Sequence, residues 1–165
     1  VVKYYAGIGS RDTPEGMLEI IRGKAELLGL QGWTLNSGGA GGADTYFDKG
    51  AAKHPAQIFL PYDGFNKHKV DGVRYILDME YREEASAIAS RYHPYWDNLN
   101  EYDRRFHTRN THQVLGRDLK TPVSFVLCWT YDEGVGGTSQ AIRVAKAHHI
   151  PVFNLKTTDF KGVLF

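Results

Sequence analysis

Apolar residues in this chain come in short runs that end at glycines, and helically spaced apolar positions fill the gaps between runs. Residues 1–8 read as a strand ending in a glycine turn. Residues 15–30 carry leucine and isoleucine at helical spacing, with Thr13 and Pro14 as cap and first-turn residues and Gly32 closing the helix. A second strand is expected over 33–36, a helix over 43–53 stopped by Pro55, and a third strand over 56–60 ended by Pro61. The middle is less regular. Residues 62–71 are polar with interspersed aromatics, a helix is expected over 75–90, His93-Pro-Tyr-Trp96 breaks it, and an amphipathic helix rich in Arg and His follows over 99–119. Residues 123–129 form the clearest buried strand, followed by a helix over 138–149 and a strand over 150–155. The alternation of strand and helix predicts a three-layered α/β fold with a mainly parallel sheet, right-handed crossovers and an elaborated helical middle. One domain spanning 1–165 is expected.

Three glycine turns follow predicted strands: Gly7-Ile-Gly-Ser-Arg11, Asn36-Ser-Gly-Gly-Ala-Gly-Gly-Ala-Asp44 and Asp132-Glu-Gly-Val-Gly-Gly-Thr138. The first amides of a helix have no intrahelical acceptor and sit at the positive end of its dipole, so a glycine turn opening a helix suits an anion. This makes Gly136, Gly137, Thr138 and Ser139 candidate phosphate ligands. Ser37, Gly38, Gly39, Gly41 and Gly42 are candidates on the same grounds, with Asp44 placed to cap a helix or bond a sugar. Gly9, Ser10 and Arg11 complete the set, because an arginine at a strand end can grip a phosphate with two parallel bonds. Asp12 stands where a dinucleotide fingerprint has its third glycine, and no Gly-Lys-Ser/Thr follows any glycine run. These departures argue against an ordinary NAD dehydrogenase and a P-loop ATPase.

The same three pieces, with Gly136-Gly-Thr-Ser-Gln-Ala141 in the third, resemble the Rossmann-like SLOG superfamily. It includes the LOG-type nucleoside monophosphate phosphoribohydrolases, DprA-like proteins and the molybdenum-cofactor carriers. The resemblance implies nucleotide binding and, from the LOG members, hydrolysis of the base–sugar bond of a nucleoside 5′-monophosphate. Gly137 and Thr138 match that family's Gly-Thr pair, Ala141 falls where it has a catalytic glutamate, and Arg109-Asn110 aligns with its Arg-Lys pair. The missing carboxylate directs attention to Asp132 and Glu133, at the end of the best strand, to support a ribosyl cation or orient water, with Asp44 as a third candidate and Arg109 on the phosphate or leaving base. With Ala141 in the glutamate position, a nucleotide sensor or carrier without turnover is the second reading. The DprA likeness supplies a third, single-stranded nucleic-acid binding. Arg104, Arg105, Arg109 and Arg117 interleave there with Tyr92, Tyr95, Trp96, Tyr102 and Phe106.

Composition narrows this little. A formal charge of +1 gives no broad basic field for nucleic acid. The single cysteine, Cys128, lies in an apolar strand and reads as a buried thiol. No apolar run reaches membrane-spanning length and no signal-peptide pattern opens the chain, so it reads as cytoplasmic. His107 and His112 are five apart and His148 and His149 adjacent, spacings unsuited to zinc. The expectation is a small-molecule nucleotide as partner, no required cofactor, Mg²⁺ only as a companion of a phosphate, and association into a homo-oligomer through the aromatic middle.

Overall fold

The computed structural model describes residues 1–157. The last eight positions of the expected domain lie outside the described residues. Six strands form one parallel sheet in the order β4-β3-β2-β1-β5-β6. They are β1 (Lys3–Gly9), β2 (Trp33–Ser37), β3 (Ala56–Phe59), β4 (Tyr75–Ile76), β5 (Val126–Trp129) and β6 (Val152–Asn154), interleaved with helices α1 (Glu15–Leu30), α2 (Ala43–Gly50), α3 (Arg82–Tyr92), α4 (Glu101–Leu115) and α5 (Gly137–Ala147). The α/β Rossmann-like class is thereby established.

Alternation along the strands builds two cores. Tyr5, Leu35, Ile58, Phe125, Leu127 and Trp129 face the α1/α2 layer, where Ile21, Leu28 and Phe47 meet them. Ala6, Ile8, Val126 and Cys128 face the other layer, against Val114 of α4 and Ile142, Val144 and Ala145 of α5. Burial in that second core pushes the Cys128 thiol up to about 12.

The middle departs from expectation in one respect. Tyr75 and Ile76 are not the start of a helix but a two-residue strand in register with Ile58 and Phe59. Arg74 fixes it: its guanidinium grips the Asp48 carboxylate at 2.7 Å and the carbonyls of His54 and Ala51. The Tyr75 hydroxyl donates to the other Asp48 oxygen. The helix then begins only at Arg82. α4 ends at Leu115 because Gly116 turns to φ 84°, where its amide still reaches the His112 carbonyl.

β1 is the hinge of the topology. Its register pairs Ala6 with Asn36 on one side and with Val126 on the other. From β1 the chain winds outward to β4, then returns across the sheet through α3 and α4 to β5. Strand order therefore reverses between β1 and β5, and in open parallel sheets the crevice beyond the carboxyl ends at such a reversal is where ligands bind.

Candidate functional site at the β1–β5 carboxyl edge

A cleft of about 770 Å³ opens at that reversal. Its floor is Gly9, Ser10 and Thr130 at the strand ends. One wall is the 134–137 turn with the start of α5, another is Ala40 and Asp44 after β2, and α4 spans it with Asp103, Phe106, His107, Asn110 and Gln113. Those five follow helical spacing, so one stripe of α4 faces the cleft. The connection from α3 to α4 closes the remaining side with His93, Pro94, Tyr95 and Leu99.

The two later glycine turns are built differently. Gly38 is buried, and a Cβ there would lie 2.6 Å from Gln113 Nε2, 2.7 Å from Arg109 Nη1 and 2.9 Å from Asp44 Oδ2. Only a glycine lets that polar knot close. Arg109 Nη1 donates to the carbonyl of Gly38 and to that of Phe59, and its Nε donates to Asn110 Oδ1 at 2.9 Å. The guanidinium lies over the rings of Phe65 and Phe106. Asp44 accepts the amides of Gly9 at 3.2 Å and Ala40 at 3.3 Å. Gly39 and Gly42 are crowded by neighbouring protein atoms as well, and Ser37 donates its hydroxyl to the Gly7 carbonyl. The second turn thus offers the cleft a carboxylate and an alanine rather than a ring of glycine amides. Of its predicted ligands only Asp44 lines the cleft; Ser37, Gly38, Gly39, Gly41 and Gly42 do not.

The third turn is open. A Cβ added to Gly136, at φ 90°, or to Gly137 would meet nothing within 4 Å. Gly136, Gly137, Thr138 and Ser139 all line the cleft, and the Gly137 carbonyl is held by Asn110 Nδ2. Gly9, Ser10 and Arg11 line it too, the Ser10 amide donating to the Trp129 carbonyl and the Arg11 guanidinium lying 6.0 Å over Phe65.

Electrostatics in the knot follow from burial. Desolvation pushes the Asp44 carboxyl up to about 6, against the pull of Arg109 and its two amide donors. Desolvation likewise lowers Arg109 to about 10, opposed by Asp44. Asp44 is therefore a carboxylate whose charge changes near pH ~6, in a cleft that Arg109 also lines.

Asp132 and Glu133 stand outside the cleft lining. The Asp132 carboxylate accepts the Gly134 amide at 2.8 Å and shapes the turn. Glu133 points over β6, meeting Lys146 Nζ at 3.3 Å and Asn154 Nδ2 at 3.3 Å. The residues foreseen for a nucleic-acid strand are also engaged. Arg104 donates to the Trp96 carbonyl and lies over its ring, Arg105 is near Glu101, and Arg117 pairs with the buried Asp78.

Sequence reasoning missed several cleft residues, and three of them cluster beside α5. Arg143 stands one turn beyond Ser139 and donates to its hydroxyl at 3.1 Å, to Gln140 Oε1 and to the Tyr92 carbonyl. His93 and His107 also line the cleft, their rings tilted against each other with centroids 4.4 Å apart. The 139/143 spacing and the 103/107/110 stripe were legible signals for Arg143 and His107; His93, in an irregular loop, had none. Among the described residues no group of three or more His, Cys, Asp or Glu side chains is placed to hold a metal ion, and no helix is long and apolar enough to cross a membrane.

No family model matches the chain. No curated protein matches it either. Among solved structures it is similar to DNA processing protein A (DprA) from Streptococcus pneumoniae, at 16% identity and a TM-score of 0.53, over 93% of this chain and 50% of that one. The chain thus spans about half the length of that protein, and the likeness is one of fold.

Proposed function

We propose that the cleft binds a nucleoside 5′-monophosphate and hydrolyses its base–sugar bond, with Asp44 as the carboxylate at the reacting carbon. The observation that carries this reading is the meeting, across one cleft, of an open helix start and a buried carboxylate of raised pKa. The phosphate rests on the start of α5, against the amides of Gly137 and Thr138 and the Ser139 hydroxyl. The ribose then reaches toward the wall where Asp44 sits, bonded to the Gly9 amide of the floor. As the C1′–N bond breaks, the sugar takes on cationic character that the Asp44 carboxylate stabilises. Water bonds to C1′, its proton passes to the departing base, and ribose 5-phosphate and free base result. The amides of Gly9 and Ala40 hold Asp44 in place, and the charge of Arg109 limits how far burial raises its pKa.

A second reading has one observation in its favour. The fold likeness is to a protein named for DNA processing, which supports a single-stranded nucleic-acid ligand for the same cleft. Arg104, Arg105 and Arg117 are engaged elsewhere, and the cleft lining itself contributes Arg11, Arg109 and Arg143 to that reading.

Incubation with a panel of ribo- and deoxyribonucleoside monophosphates, followed by chromatography for free base, decides between them. Base release should fall by at least ~100-fold in Asp44→Asn. It should change by less than about threefold in Asp132→Ala and Glu133→Ala, whose side chains stand off the cleft. Release that survives D44N and is lost in D132A would return the chemistry to the β5 turn. No release from any nucleotide, with salt-sensitive binding of a labelled single strand, would establish the second reading.

A further inference from the structure

The end of the cleft beside α5 holds a cluster that the hydrolysis does not use. His93 comes from the loop after α3, His107 from α4 and Arg143 from α5, so three separate elements converge there. The Tyr95 amide donates to His93 Nδ1 at 3.1 Å, which leaves the proton of the neutral ring on Nε2. His107 Nδ1 is buried with no hydrogen-bond partner. Burial lowers both imidazoles, His107 to about 4, with Arg143 adding to the effect on each and Arg109 and the neighbouring ring adding to it on His107. Two uncharged rings thus sit against a guanidinium, and the unpartnered His107 Nδ1 leaves the pair with capacity to take a proton.

The surroundings make that capacity matter. The cleft is lined by Arg11, Arg109 and Arg143 and equally by Asp12, Asp44 and Asp103. Asp103 lies one turn before His107 on the same stripe, and Arg104, beyond it, is occupied by the Trp96 carbonyl. With Asp44 ionised these formal charges balance, so the side chains add no net attraction to that of the α5 amides for a doubly charged group. A protonated imidazole beside Arg143 would add one. A phosphomonoester carries close to two negative charges above its second ionisation, near pH ~6, and has three terminal oxygens; an internal phosphodiester carries one charge and two such oxygens.

We propose that His93, His107 and Arg143 form a phosphomonoester subsite that takes up about one proton as the dianion binds, and so selects a terminal phosphate over an internal phosphodiester. The inference deepens the nucleotide reading and rests on it for the position of the phosphate near Ser139. The terminal phosphate has two sources, a mononucleotide or the 5′ end of a strand. Above pH ~6 the free ligand and free cluster hold no proton and the complex holds one. Affinity therefore falls by up to about tenfold per pH unit as pH rises, until the complex itself deprotonates.

Calorimetric titration at pH ~7.5 in buffers of low and high ionisation enthalpy reads the proton directly. The probes are ribose 5-phosphate, an oligothymidylate with a 5′-phosphate and the same strand with a 5′-hydroxyl. Ribose 5-phosphate should bind with uptake of about one proton. His107→Gln should abolish most of that uptake and weaken binding about tenfold, and His93→Gln, at a half-exposed loop position, should do so less strongly. Proton-linked binding confined to the 5′-phosphorylated strand would keep the subsite and overturn the mononucleotide reading. Binding of ribose 5-phosphate without proton uptake, or equal binding of the 5′-hydroxyl strand, would overturn the subsite and leave that reading standing. Binding of none of the probes would overturn both.

Discussion

Two glycine turns of similar composition leave strands of one sheet and serve opposite ends. At Gly38, Gly39 and Gly42 the missing side chains make room for the protein itself, whereas Gly41 is open: Arg109, Gln113 and Asp44 occupy the space a Cβ at Gly38 would need. At 136–137 the same residue type borders open space on the cleft. A glycine run after a strand therefore does not by itself mark a phosphate grip. What separates the two is what crosses above them. α4 lays a buried polar turn, Arg109, Asn110 and Gln113, over the second turn and meets the third through the Asn110 side chain, which bonds the Gly137 carbonyl.

The sharpest way to break this comparison is to fill both turns. Gly38→Ala should lower stability by about 1 to 3 kcal/mol in a denaturant titration, because the knot has to spread by several tenths of an ångström in an interior with no slack. A loss below about 0.5 kcal/mol would show that the second turn is looser than its contacts imply.

Acid titration sharpens it next. Asp44 has a folded pKa of about 6, above its unfolded value, so the folded state holds that proton more tightly and its penalty is relieved as pH falls from about 6 toward 4. His107 has a folded pKa of about 4, below its unfolded value, so its contribution is complete above pH ~6.5 and is lost as pH falls toward 4. The packed turn and the open cleft thus push stability in opposite directions over one window, by up to about 3 kcal/mol each at the limit of full burial, and by less for the partly exposed imidazole. D44N should make the protein more acid-sensitive between pH ~4 and ~6 and H107Q less so, read as the pH dependence of the melting temperature. Parallel curves for both variants and the parent would remove the distinction.

The smallest effect on the fold belongs to Gly137→Ala. The position has open surroundings and lies in the first turn of α5, so stability should change by less than about 1 kcal/mol, in the favourable direction. Affinity for ribose 5-phosphate should nonetheless drop, since the methyl group enters the cleft beside the amides. Unchanged affinity would place the phosphate elsewhere.

Much of the fold is legible along the chain. The outer βα units, the buried β5 and the α5 start follow from apolar runs and glycine stops. β4 is not, because two residues cannot display a period, and Tyr75–Ile76 is held by Arg74 and Asp48 rather than by its own pattern. The open turn is readable; the packed one reads identically, since only the tertiary path of α4 distinguishes them. Asp132 and Glu133 end the right strand, but the direction of a turn is set by partners far along the chain, here Lys146 and Asn154. The reach of Asp44 into the cleft shows in the sequence only as a capping position. Whether the site acts as proposed is decided by the nucleotide panel and the titrations.

The pairing of Ala6 with Val126 also has a kinetic side. The strands that flank the crevice are separated by most of the sequence, and their closure entropy must be met before any contact between them stabilises the chain. During synthesis β1 to β4 can assemble while one edge of β1 waits for a partner that has not yet been made. The crevice is accordingly a late product of folding, and that waiting edge is the surface through which two unfinished chains would most readily join.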